Sequence, residues 1–180
     1  MIQYQLTKTM QELKQILVLQ QLNLSKNLSA QEKKEQGFVT LEHSFQELKK
    51  FHDIYPHSIA KFNNKVVGYA LSMDVSCKNE IELLKPMFDE IDAIYSDSYI
   101  AMGQICIDAD FRGKGVFKGL YSLMQETFAS KYTAIITEID AANLRSMNAH
   151  QKIGFTELTR YFSNNQEWVI VILESIKKIH

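Results

Sequence analysis

Arg112, Gly113, Lys114, Gly115, Val116 and Phe117 lie between an apolar run and an amphipathic one. Upstream, Ile100 to Ile107 reads as a buried strand that stops at Asp108-Ala109-Asp110. Downstream, Phe117, Leu120, Tyr121, Met124 and Phe128 recur at helical spacing and form one apolar stripe. A strand, a loop with two glycines and a helix start together make an anion site. The first N–H groups of such a helix lack partners, its dipole is positive at that end, and glycine lets an anion approach the backbone. Arg112, Lys114 and Lys118 add cations around the loop. The chemistry these residues suit is the holding of a pyrophosphate.

A second set could move protons. Glu138 interrupts the apolar run Ala134-Ile135-Ile136-Thr137-Glu138-Ile139, and a carboxylate in a buried strand is costly without a partner or a task. It fits either a general base or a strand-end carboxylate paired with Arg145 or Lys152. Asn143, Ser146 and His150 are spaced i, i+3 and i+7, so one helix face presents all three. His150 fits a proton donor or a packed helix histidine. Gln104, in the neighbouring apolar strand, could hold a water that relays a proton.

Two common phosphate loops fail on spacing. The Walker pattern G-x-x-x-x-G-K-S/T meets Lys118 where its second glycine should be, and the dinucleotide pattern G-x-G-x-x-G meets Lys118 at its third. The loop instead resembles the acyl-CoA loop of the GNAT superfamily of N-acetyltransferases, Q/R-x-x-G-x-G/A. Arg112 and Gly115 match in place, and Phe117 replaces the final small residue. Residues 143–155 resemble a second family segment, N-x-x-A/S-x-x-x-Y-x-K-x-G-F: Asn143, Ser146, Lys152, Gly154 and Phe155 match, and His150 stands for the tyrosine. The resemblance runs from about Val66 to the C-terminus, and more loosely over the N-terminal part.

The resemblance implies an α/β (α+β) fold in one domain over residues 1–180: a mixed, largely antiparallel seven-stranded sheet, helices on both faces and a splayed central strand pair. It implies acetyl-CoA as cosubstrate, without a metal, and transfer of its acetyl group to a primary amine by direct attack in a ternary complex. Arg112, Gly113, Lys114, Gly115, Val116, Phe117 and Lys118, with Asn143 and Ser146, would then bind the cofactor. Backbone groups at Ile105 and Ile107 would take the pantetheine amides and the thioester oxygen. Glu138 stands where bacterial ribosomal-protein alanine acetyltransferases carry their base, and His150 where a tyrosine protonates the leaving thiolate. The alternative is a CoA-binding sensor or interaction protein of the same fold without turnover, which Phe117 and His150 keep open; transfer of a longer acyl group is a third reading. The acceptor is a small-molecule or peptide amine, and the sequence does not choose.

The elements around these residues are marked by local signals. Thr9 with Glu12, Ser29 with Glu32 and Ser44 with Glu47 are capping boxes that start three helices. Met10, Leu13, Ile16, Leu17 and Gln20 form the inner face of the first; Gly37 ends the second, and Pro56 follows the third. Ile2, Tyr4 and Leu6 alternate as an opening strand. Asn63-Asn64 and Ser163-Asn164-Asn165-Gln166 read as hairpin turns, flanked by strands 58–62 and 65–73 and by strands 157–162 and 167–173. Between the two hairpins, residues 74–98 form an insert longer than a simple strand connection needs. Pro86 suits a helix start, and Met87, Phe88, Ile91, Ile94 and Tyr95 make a stripe that would serve as a wall over the acceptor, a packing appendage or a homodimer contact.

At 180 residues with 46% hydrophobic residues, the chain can bury a sizeable core, and nothing in it marks a domain boundary. The net charge of −1 provides no basic field for nucleic acid or an anionic membrane. No apolar run reaches membrane-span length, and the N-terminus lacks a secretory pattern. Cys77 and Cys106, the second inside a strand pattern, suit a reducing cytoplasm rather than a disulfide. His43, His52, His57 and His180 show no metal-ligand spacing.

Overall fold

The computed structural model describes residues 1–174, which leaves His180 outside the described residues. Each of the three capping boxes forms: the side chains of Thr9, Ser29 and Ser44 accept from the N–H groups of Glu12, Glu32 and Glu47, whose carboxylates return to the cap N–H groups. They start α1 (Met10–Asn23), α2 (Ala30–Gln36) and α3 (Phe45–Ile54). In α1 the buried stripe runs through Leu13, Ile16, Leu19 and Gln20, while Met10 in the first turn is 38% exposed. The inner face is thus rotated toward Leu19 from the expected one.

β1 (Gln3–Leu6) precedes these helices, and β2 (Ser58–Phe62) and β3 (Lys65–Met73) follow them. After the insert, which holds α4 (Lys85–Ile94), come β4 (Tyr99–Ile107), α5 (Val116–Phe128), β5 (Ala134–Asp140), α6 (Leu144–Lys152), β6 (Thr156–Ser163) and β7 (Gln166–Glu174). Asn63 and Asn64, and Asn164 and Asn165, sit at positive φ between 47° and 63°, as tight hairpins require. The sheet order is β1-β2-β3-β4-β5-β7-β6, and β4–β5 is its parallel pair.

Helices cover both faces. Val116, Leu120, Tyr121, Met124 and Phe128 of α5 pack on Val67, Ile100, Ile135 and Val169. On the other face, Leu13, Ile16 and Leu48 of α1 and α3 pack on Ile59, Tyr69 and Leu71. The insert fills the rest of that face: Cys77, Ile81, Leu84, Met87, Phe88 and Ile91 bury against Met73, Ala101, Ile136 and Ile170. Met87, Phe88 and Ile91 of its stripe are therefore packed into this chain's own core, while Ile94 at its end is 49% exposed.

β4 and β5 pair only at Tyr99–Ala134, Ile100–Ile135 and Ala101–Ile136, and then part. The parting coincides with a bulge. Between the pairs Ala70–Ile105 and Ser72–Met102, β4 carries one residue more than β3 and so bends away from β5. Gly103 lies in this stretch, where a Cβ would come 2.4 Å from the Met73 sulfur.

Candidate active site

The parted strands leave backbone groups without a ladder. The Asp108 N–H bonds the Val67 carbonyl at 2.9 Å, so the alternate residues Ile107 and Ile105 turn their N–H and C=O groups away from β3, toward the gap. At its apex the Thr137 hydroxyl donates to the Met102 carbonyl at 2.8 Å. Toward the glycine loop lies a cavity of about 280 Å³, lined among others by Ile105, Ile107, Gly113, Gly115, Phe117 and Ser146.

The glycine loop forms one rim. Gly113 and Gly115 stand at φ +71° and +80°, and a Cβ on either would meet no protein atom within 4 Å. Their glycine character is set by backbone conformation, and the space beside them is open. No side chain caps α5, and its first helical bond runs from Gly119 to the Gly115 carbonyl at 3.0 Å. The N–H groups of Val116, Phe117 and Lys118 are thus left without helical acceptors. Lys114 lies over the Phe111 ring at 5.3 Å, and Lys118 is exposed.

Two motif residues do something the sequence did not announce. Arg112 bonds the Ile107 carbonyl through Nε at 3.0 Å, Gln36 through Nη1 at 2.8 Å and Asn23 through Nη2 at 2.5 Å. The Asn143 Oδ1 caps α6 by accepting from the Ser146 N–H at 3.2 Å, and its Nδ2 donates to the Phe38 carbonyl at 3.0 Å. Beside it, Arg145 donates to the Glu35 carbonyl at 2.8 Å. The end of α2 and the residues after it are therefore tied to the β4 side by Arg112 and to the α6 side by Asn143 and Arg145. They form a strap across the gap. Gln104 fastens its far end, donating to the Leu41 carbonyl at 2.6 Å and accepting from the Tyr69 hydroxyl at 2.6 Å. Both ends of the Gln104 amide, expected to hold a water, are engaged by the protein.

Beneath the strap lies a smaller space of about 90 Å³, lined among others by Leu41, Leu84, Gln104, Glu138, His150 and Trp168. It shares Ile105, Asn143 and Ser146 with the larger cavity. Glu138 pairs with neither Arg145 nor Lys152; its Oε2 accepts a short hydrogen bond from the Tyr161 hydroxyl. Burial pushes its carboxyl up to about 7, against the opposing pull of that phenol. His150 is 1% exposed. Its Nδ1 contacts the Ser146 carbonyl at 2.8 Å; a carbonyl can only accept, so Nδ1 carries the proton and Nε2 accepts from the Tyr121 hydroxyl at 2.7 Å. Burial holds the imidazole down at about 4, and it is neutral at pH 7.

His150 and Phe117, the two departures from the family pattern, touch each other edge to face with ring centroids 4.9 Å apart. Phe117 finds its room against the ring that replaces the tyrosine. Tyr161, Tyr121 and the strap are site components that sequence reasoning missed. Each reaches the site from another element, and no local spacing signals it. Among the described residues, no three His, Cys, Asp or Glu side chains converge on a metal-sized site.

Solved structures share this fold over nearly the whole chain. The ribosomal-protein-S18-alanine N-acetyltransferase from Escherichia coli superposes with a TM-score of 0.66 at 15% identity, covering 97% of this chain and 94% of that one. An N-acetyltransferase from Staphylococcus aureus gives 0.61 at 20% identity, with 97% and 98% covered. A chain of the NatC complex bound to Gag peptide and CoA gives 0.67 at 17% identity, with 96% and 98% covered. At these identities the likeness is one of fold. No curated protein sequence matches the chain significantly. Residues 20–155, which hold the glycine loop, the splayed strands and α6, match the model of the acetyltransferase (GNAT) family, and the chain belongs to that family.

Proposed function

We propose that the protein moves an acetyl group from acetyl-CoA to a primary amine by direct attack in a ternary complex. The observation that carries this reading is Glu138, a carboxylate lifted to about 7 at the inner end of a gap whose outer rim is a glycine loop with unpaired N–H groups. A base with that value is partly ionised at neutral pH and still accepts a proton readily. The loop from Gly113 to Lys118 would hold the pyrophosphate, and the backbone of Ile105 and Ile107 the pantetheine. The amine nitrogen attacks the thioester carbonyl carbon, the C–S bond breaks, and a nitrogen proton passes to Glu138 directly or through one water. The thiolate then takes a proton. With an ordinary thiol pKa of about 8.5, it can do so from water at the mouth of the cleft. We assign His150 to packing, because its one N–H is spent on the Ser146 carbonyl.

At about 90 Å³ the inner space would take the acetyl group and the attacking nitrogen, and the body of the acceptor, a small molecule or a peptide, would stay at the mouth. Two buried free cysteines suit a reducing cytoplasm, and no described helix is long and apolar enough to cross a membrane. The engagement of His150 favours the second reading, a CoA-binding protein without turnover. A screen of primary amines for thiol release from acetyl-CoA separates the two. Turnover that falls roughly 10²–10⁴-fold in Glu138→Gln supports the acetyltransferase. CoA binding without turnover on any amine supports the sensor.

A further inference from the structure

We propose that Tyr161 is the positioning residue of Glu138, aiming and ionising the carboxylate from an edge strand two strands away; the inference rests on the reading of Glu138 as the base. Register makes the contact. β5 pairs with β7 at Glu138–Ile170 and Asp140–Trp168, and β6 pairs with β7 at Tyr161–Trp168. Directly opposed residues share a face, so Glu138, Trp168 and Tyr161 all project toward the side that carries the insert. The phenol spans roughly 10 Å of sheet, two inter-strand spacings, to reach Oε2.

Three features give the contact a function beyond packing. Tyr161 stands behind the carboxylate: Glu138 lines the inner space and Tyr161 does not. The phenol therefore occupies Oε2 and leaves Oε1 for a proton from the acceptor. Second, the phenol is covered while the carboxylate faces the inner space. Tyr161 is 9% exposed and belongs to the buried cluster that Met87, Phe88 and Ile91 of α4 complete. This gives the insert a part in the site: it keeps water from competing for the phenol.

Third, among the described residues no other group near Glu138 supports its charge. The groups facing it are Asp140 on its own strand, His150 from α6 and Gln104 from β4, with Glu90 of α4 beside Tyr161. Asp140 turns its carboxylate to the Ala142 N–H at 2.8 Å, and His150 is neutral. The Tyr161 hydroxyl is the donor that opposes the effect of burial on Glu138.

The test is Tyr161→Phe, which keeps the ring in its cluster and removes the donor. Carbon-13 NMR titration of the full-length protein, with the Glu138 carboxyl assigned by its loss in Glu138→Gln, reads the ionisation without any acceptor. The expected result is a midpoint moved upward by about one pH unit or more. With an amine found by the screen, kcat at neutral pH should fall about tenfold and recover as pH rises, while KM for acetyl-CoA stays unchanged. Tyr161→Phe should cost nothing further in a Glu138→Gln background. If the phenylalanine variant does not fold, 3-fluorotyrosine at position 161, a more acidic donor, should move the midpoint downward. An unchanged midpoint and pH profile in a folded variant overturns the inference. Full activity of Glu138→Gln overturns the base assignment instead, whatever the midpoint does.

Discussion

Glu138 destabilises the fold that holds it. A carboxyl ordinarily titrates near about 4.3, and this one is raised to about 7 by burial. Between those values the native state binds more protons than the unfolded chain, so stability falls as pH rises through the window, and the full cost is present above pH 7. Glu138→Gln should therefore raise the unfolding free energy by about 1–3 kcal/mol at pH 8 and leave it nearly unchanged at pH 4. Thermal melts of both proteins at the two values check this. An equal change at both would mean that burial does not penalise the carboxylate. The same residue scale explains how a bulky Phe117 is tolerated: the loop's side chain rests on His150 and on Tyr121, with ring centroids 4.9 and 5.2 Å away.

At the scale of elements, the start of α5 and the strap after α2 face each other across one gap. The loop's geometry depends on Gly115 at φ +80°, where an L side chain costs about 1–2 kcal/mol and a β-branched one more. Its Cβ would also project into open space that a phosphate needs. Gly115→Val should weaken CoA binding at least about tenfold while the circular dichroism spectrum is kept. Isothermal calorimetry on the folded variant measures it, and unchanged affinity would remove the loop from the site. The strap adds a second consequence. Because Arg112 holds Gln36 and Asn23, it joins the loop to α1 and α2 as well as lending charge to the rim.

Over the whole molecule, three buried histidines set the response to acid. Burial lowers His43 and His150 to about 4 and His57 to about 3, against an ordinary value of about 6.5. The unfolded chain binds protons there before the native one does, so stability is lost as pH falls from about 6.5 toward 4. The three outweigh the opposite trend of Glu138 in that window. His43 is the clearest contributor, since neither ring nitrogen has a hydrogen-bond partner and the ring packs edge-on to Phe51 at 6.0 Å. His43→Phe should flatten the pH 4–6.5 dependence by about a third of the histidine contribution, one group in three. Chemical denaturation at pH 7 and pH 5 reads the slope, and an unaltered slope would show that His43 does not stay neutral.

What was legible in the chain by itself was set by neighbours in sequence. The three capping boxes, the two Asn-Asn turns and the glycine loop involve groups a few residues apart, so residue type and spacing suffice to specify them. Two motifs in order then implied a seven-stranded sheet with a splayed pair, and the sheet has both. The periodicity of α4 was legible too, but not the surface it would meet. Only the tertiary structure decided what the site residues touch. Glu138 meets Tyr161 because β7 lies between β5 and β6, and Asn143 holds Phe38 across 105 residues of chain. His150 turns its Nδ1 to a carbonyl of its own helix and its Nε2 to a hydroxyl of another. Periodicity assigns a residue to a face, whereas strand order and helix crossing determine which residues share that face, and those follow from burying the whole core at once.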